Sequence, residues 1–235
     1  METEYIQAAE ALFDTTAPVV ERVAAVLART GHSQLVDLCS GAGGPVLQLL
    51  DHLAAGGTSA TAVLTDLHPQ PRVWKALSAR SDGRVSYVQD PVDATAVPDR
   101  LVGLRTLFDG LHHLKPDQVR AVLADAVAAG VPFLALETTQ RSWPSLATMA
   151  LIPAAVWAIT PTIRPVSLRR LAATYAVPVV PAAMAWDGVV STLRTYTADE
   201  LRGFTRDLDA PGWTWVIGTA TRRRIPISWI LGCPP

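Results

Sequence analysis

Residues 35–45, Leu35-Val36-Asp37-Leu38-Cys39-Ser40-Gly41-Ala42-Gly43-Gly44-Pro45, decide how the chain is read. A short apolar strand runs into an acid and then into a glycine turn. Pro45 suits the first helical position, where its missing N–H would have no partner in any case, so a helix is expected to start there. Glycine tolerates positive φ and lets a ligand approach the backbone. A helix start offers free N–H groups. Together these features fit a nucleotide-like ligand at the carboxyl end of the first strand of an open α/β sheet. The dinucleotide fingerprint G-x-G-x-x-G is not met, because Val46 stands where the third glycine would be.

Working outward, residues 46–55 read as a helix stopped by Gly56-Gly57, and residues 60–66 as a second strand that ends in Asp66. A carboxylate at that place can accept hydrogen bonds from two ribose hydroxyls; it can equally cap the helix expected over residues 72–80. A third strand is expected over residues 84–88, followed by Asp90, Asp93-Ala94 and Val97-Pro98. Residues 101–107 read as the fourth strand, before Phe108-Asp109-Gly110-Leu111-His112-His113-Leu114. A helix over 118–129 leads to a fifth strand, 131–137, with Glu137 at its carboxyl edge. Alternating strands and helices predict parallel βαβ units.

The glycine stretch resembles motif I of the class I S-adenosylmethionine-dependent methyltransferases, (D/E)-x-G-x-G-x-G. Asp37, Gly41 and Gly43 match, and Cys39 replaces the first glycine. The resemblance extends to the Asp93-Ala94 pair, which in that family contacts the adenine, with Asp90 as a rival and a turn aspartate bonding its own backbone as the bland alternative. The Leu-His-His-Leu run is also common there, beneath the methionine part of the cofactor. The resemblance implies S-adenosylmethionine as cofactor, S-adenosylhomocysteine as product, and contacts from Asp37, Cys39, Ser40, Gly41, Gly43, Asp66, Leu67, Asp93, Ala94 and Phe108. It implies one domain over 1–235, with a Rossmann-like, mostly parallel seven-stranded sheet. The strand order would be 3-2-1-4-5-7-6, the last strand antiparallel, with helices on both faces. It makes residues 1–31 helices that close over the ligand. Within them Ile6, Ala9, Leu12 and Phe13, then Val19, Val23, Val26 and Leu27, keep helical spacing, divided at Pro18 and stopped by Gly31. Tyr5 reaches the substrate from such a lid or packs on the surface.

Composition bounds the partners. The chain has 235 residues, enough for a substantial core, with 49% hydrophobic and 17% charged residues and a formal net charge of −1. Without a basic run, a nucleic-acid backbone is not expected as the main partner. Two cysteines make neither a disulfide framework nor a metal cluster, and a reduced cytoplasmic setting is the default. The opening Met-Glu-Thr-Glu is unlike a signal peptide. Adjacent His112 and His113 point in different directions, and no H-E-x-x-H motif completes a site, so no metal is expected.

Residues 138–187 form an apolar, proline-rich insert. Three readings compete for it: a lid over an apolar substrate, a homodimer interface, and a peripheral membrane contact in which arginines meet headgroups. Beyond it, Thr197 and Glu200 make a capping box for a helix running to about Asp207. Residues 213–218 and 225–231 read as strands, with Arg222, Arg223 and Arg224 in their connection.

Methyl transfer from a sulfonium is an in-line displacement that needs alignment above all, and a base only if the acceptor must first lose a proton. His112, His113 and Glu137 are the catalytic candidates; Tyr5, Asp109, Trp157, Trp186 and Asp187 are those for the substrate pocket. The expected function is methyl transfer to an apolar small molecule. A cyclase or lyase reaction that leaves the cofactor intact, or a non-catalytic ligand-binding protein on the same fold, are the alternatives.

Overall fold

The computed structural model describes residues 14–163, 166–208, 210–223 and 225–235. The opening helix expected over residues 5–17, with Tyr5, falls largely outside them. A 3-10 turn, Ala17–Val19, leads into α1, Val20–Thr30, which ends at Gly31 with φ 72° as expected. Then come β1, Gln34–Asp37, and α2, Val46–Ala55. Pro45 is the residue before α2 rather than its first, with φ −83° and ψ 19°. Next are β2, Thr61–Leu64; α3, Pro71–Ala79; and β3, Val85–Tyr87. They are followed by β4, Leu104–Phe108; α4, Pro116–Ala128; and β5, Phe133–Glu137.

The sheet has seven strands in the order β3-β2-β1-β4-β5-β7-β6, where β6 is Thr214–Arg222 and β7 is Ile225–Cys233. The first five pair in parallel, and β7 runs antiparallel to both β5 and β6. Every residue of β4 and β5 is buried, as in a strand covered on both faces. Alternate side chains feed opposite layers. Leu134 and Leu136 join the helices α1, α2 and α3 through Val23, Leu49 and Trp74. Phe133 and Ala135 join Val119, Val122 and Leu123 of α4, and Leu201 and Phe204 of α9, Ala198–Arg206. Each such Leu or Phe contributes about 1.5–3 kcal/mol through burial.

The closing hairpin is longer than its sequence pattern suggests. Arg222 still belongs to β6, opposite Ile225, and its guanidinium meets Asp14 at 3.0 Å. Arg223, at φ 47°, makes the turn. Two cross-strand pairs are reciprocal: Gly218 faces Trp229, and Trp215 faces Gly232. A Cβ on Gly218 would lie 2.2 Å from the Trp229 ring, and one on Gly232 would lie 2.3 Å from the Trp215 ring. Each indole therefore lies across the glycine of the other strand.

The insert is helical. It holds α5, Trp143–Met149; α6, Ile152–Ile159; α7, Leu168–Leu171; a π turn, Ala172–Ala176; and α8, Val179–Arg194. Its prolines start helices rather than break them: Pro144 and Pro153 lie in the first turns of α5 and α6, and Pro178 immediately precedes α8. The last helix runs past Asp187 to Arg194. Val156, Ile163 and Val180 form a small core of their own, with Ile152, Ile159 and Met184 against it.

Candidate functional site

The turn after β1 is built around unusual backbone. Cys39, Gly41, Gly43 and Gly44 all have positive φ, at 52°, 50°, 101° and 43°. At Gly43 space is the second constraint, since a Cβ would lie 2.5 Å from Leu77 Cδ2 of α3. Beneath the turn, Asp37 is 1% exposed and its Oδ1 accepts from the Thr106 hydroxyl of β4 at 2.8 Å. Burial, opposed in part by hydrogen bonds from Ser40 and Thr106, pushes its pKa up to about 7. Asp66 ties the next loop to the turn. Its Oδ2 accepts from the Gly41 N–H at 2.9 Å and its Oδ1 from the His68 N–H at 2.8 Å. The Trp74 indole donates to the Gly41 carbonyl at 2.9 Å.

Over this turn, at the carboxyl edge of β1, β2 and β4, lies a cavity of about 520 Å³. Residues 39–42 and Gly44 form its floor. Asp66, His68 and Gln70 form one wall; Phe108, Asp109, Gly110, His113 and Leu114 form another; and Asp187 reaches in from α8. A second cavity of about 270 Å³ adjoins it, sharing Cys39 and Leu114 and lined also by Leu67, Val92, Asp93 and Ala94. Among the described residues no Lys or Arg lines either space, whereas Asp66, Asp93, Asp109, Asp117 and Asp187 do.

No family model matches the sequence, and no curated protein matches it. Solved structures do match. A mitomycin 7-O-methyltransferase aligns over 94% of this chain and 54% of its own, with a TM-score of 0.54 and 14% identity. An O-methyltransferase from neocarzinostatin biosynthesis, solved with S-adenosylmethionine and 2-hydroxy-5-methyl naphthoic acid, aligns over 91% and 50%, with a TM-score of 0.52 and 14% identity. An O-methyltransferase family protein from Burkholderia thailandensis aligns over 93% and 56%, with a TM-score of 0.50 and 19% identity. The fold is that of the class I methyltransferases. At these identities the likeness is one of fold, and the chain spans about half the length of these three neighbours.

In this methyltransferase fold the expected cofactor residues divide. Cys39, Ser40, Gly41, Asp66, Leu67, Asp93, Ala94 and Phe108 all line the paired cavities. Asp37 and Gly43 do not; they hold the turn from below. Asp93 also bonds its own loop, accepting from the Thr95 N–H at 2.8 Å and its hydroxyl at 2.7 Å, which keeps its carboxyl below the usual range. The turn-aspartate reading of Asp93 is thus met, at a residue that also lines the smaller cavity. His68, Gln70, Gly44 and Leu114 line the larger cavity although the sequence pattern did not single them out. The two loop residues follow Asp66 closely, and that proximity was the available signal.

The catalytic candidates divide too. His113 lines the cavity. His112 and Glu137 are each 5% exposed and face each other, with Nδ1 and Oε2 2.5 Å apart. Glu137 Oε1 also accepts from the Leu111 N–H at 2.7 Å, so this carboxylate anchors the 3-10 turn Leu111–His113. Burial opposes charge on His112, but Glu137 and then Asp109 outweigh it and raise its pKa above the ordinary histidine value. His113 is shifted the other way, by burial and then by the charge of His112. Asp109, at φ 48°, accepts from the Thr138 N–H at 2.6 Å and hydroxyl at 2.8 Å. Burial, then the charge of Glu137, pushes it up to about 6. Cys39 is pushed up to about 12, by burial and then by Asp66, so it is a protonated wall rather than a nucleophile. Of the substrate-pocket candidates Asp109 and Asp187 line the cavity, whereas Trp157 and Trp186 do not. Trp157 donates to the Thr174 carbonyl at 3.1 Å, and Trp186 is 73% exposed. Among the described residues, no group of three or more His, Cys, Asp or Glu is placed to hold a metal ion.

Proposed function

We propose that the chain is an S-adenosylmethionine-dependent methyltransferase acting on an apolar small molecule. One observation carries the reading: the paired cavities over a motif-I turn include five aspartates in their walls and, among the described residues, no lysine or arginine. A pyrophosphate would be repelled there, whereas a donor with a sulfonium and an ammonium group is attracted. Asp66 would take the ribose hydroxyls, Leu67, Asp93 and Ala94 the adenine, and residues 39–41 with Phe108 the remainder. When bound, the cofactor supplies an activated methyl group.

The chain's own part is alignment and proton handling. His113, with its pKa below the ordinary value, is neutral near pH 7 and can accept a proton from an acceptor hydroxyl. The Glu137–His112 pair holds the turn that carries it. An apolar acceptor is supported by Leu114 in the wall. The deciding measurement is the fate of the cofactor during turnover. S-adenosylhomocysteine formed in step with a product heavier by one methylene supports methyl transfer. Product formation with the cofactor unconsumed, or with S-adenosylhomocysteine equally effective, would replace it with the lyase or cyclase alternative.

A further inference from the structure

Large apolar side chains of the insert stand in solvent: Trp143 is 85% exposed, Leu168 82%, Trp186 73% and Val177 62%. Helix α8 shows why. One side carries Val180, Met184 and Gly188; the first two join the insert's small core, and Gly188 lies against Ile152 and Met149. Val179, Ala183, Trp186 and Leu193 recur at helical spacing on another side, and all are exposed. The helix is therefore apolar on two sides, and among the described residues only one is covered. The open side borders the cleft, because Asp187 lines the cavity and Arg194 donates to the His113 carbonyl at 2.9 Å.

Charge is distributed just as unevenly. Residues 138–186 contain no Asp or Glu and four arginines, Arg141, Arg164, Arg169 and Arg170, of which Arg141 is ion-paired with Glu200. Arg169 is exposed beside Leu168, and Arg194 is exposed at the end of the α8 stripe. Arg170 is turned inward, donating to the Ile163 carbonyl at 2.7 Å. An exposed face of tryptophan, aliphatic residues and arginine is complementary to an anionic lipid surface, where indoles sit at headgroup level and each arginine is attracted.

We propose that this face docks on an anionic bilayer. A second copy of the chain is a poorer occupant, since residues 138–186 of a facing copy offer no Asp or Glu to pair an arginine buried by the contact. Docking is at the surface rather than across it. No single helix among the described residues is long and apolar enough to cross a membrane. The two helix pairs that have the length together are bent by 44° and 75°. The 16 residues of α8 span about 24 Å, short of the roughly 30 Å hydrocarbon core. Held against the insert's small core by its covered side, the helix presents its open side to the bilayer, and the cleft then opens beside it. The proposal stands whether or not methyl is transferred.

The test is flotation of the full chain with vesicles of phosphatidylcholine alone and of an equimolar mixture with phosphatidylglycerol. The chain is expected to float with the mixed vesicles and less with the neutral ones. Trp186→Glu and Val179→Glu, both at exposed positions, should each cut the bound fraction about tenfold, and Arg169→Glu should do so on the anionic vesicles alone. Melting curves and S-adenosylmethionine calorimetry on each variant separate lost docking from lost fold. Absence of flotation on both compositions overturns the proposal, as does Trp186→Glu floating like the parent. A dimer in light scattering that Trp186→Glu dissociates, with no capture by vesicles, assigns the face to a second copy and overturns it too. Flotation retained by a chain that binds no S-adenosylmethionine upholds docking and removes the functional reading instead.

Discussion

Cys39 occupies a left-handed backbone, φ 52°, at the place where motif I has a glycine. That conformation costs an L side chain about 1–2 kcal/mol. Cys39→Ala keeps the strain and Cys39→Gly removes it, so the glycine variant is expected to be the more stable of the two by about 1 kcal/mol in urea unfolding. Asp37 makes a second prediction. Its folded pKa, about 7, lies above the ordinary 3.8. The folded state therefore holds the proton more tightly than the unfolded one. This contribution is complete below about pH 4 and is lost as pH rises through 7. Asp37→Asn cannot ionise and keeps an oxygen for Thr106. Its stability relative to the parent should rise by about 2–4 kcal/mol between pH 4 and pH 8, read by calorimetry across that range. Asp66 belongs to the cleft itself. On the proposed reading Asp66→Ala removes acceptors for both ribose hydroxyls and should weaken S-adenosylmethionine by about 1.5–3 kcal/mol, measured by titration calorimetry.

At the scale of elements, the Glu137–His112 pair joins the end of β5 to the 3-10 turn Leu111–His113. Glu137→Ala leaves a buried histidine and a turn N–H without their acceptor, at a cost of about 3 kcal/mol. With the carboxylate gone, burial is opposed only by the charges of Asp109 and Asp187, so the His112 pKa should fall from its raised position, a change visible by NMR titration. A pKa that stays raised would mean that another group holds the proton.

The sequence shows Glu137 at a strand end, which is a local fact. That its carboxylate turns inward onto a residue 25 positions away is a tertiary fact and left no pattern. The same distinction runs through the other elements. Helix α2 matches its expected bounds because apolar spacing and Gly56 are local signals. The start of β4 does not, because Gly103, at φ 153°, interrupts an apolar run that continues on either side of it. The strand order was legible because motif residues came in the right succession. Which tryptophans would face the cleft was not, because an apolar run does not tell which side of a helix finds a partner.

For the molecule as a whole, the cleft draws on loops after β1, β2, β3 and β4 and on α8. A ligand there binds the folded state only. S-adenosylmethionine at a hundredfold excess over its Kd should therefore stabilise the chain by about 2.7 kcal/mol, seen as a rise in melting temperature. The rise should be much smaller for Asp66→Ala at the same concentration. An equal rise in both would place the ligand elsewhere.

The position of β7 between β5 and β6 has a consequence for how the protein is made. Residues 225–233 must pair with β5, which emerges from the ribosome long before them. Throughout that interval the nascent chain carries an open sheet edge that is apolar from Phe133 to Leu136, the kind of surface on which unfinished chains aggregate. The Trp215–Gly232 and Trp229–Gly218 pairs fix the register in which the β6–β7 hairpin docks. A slip of the hairpin would drive an indole against a side chain instead of a glycine. Chains stalled before residue 225 are therefore expected to need a chaperone to stay in solution, and chains released after Cys233 are not.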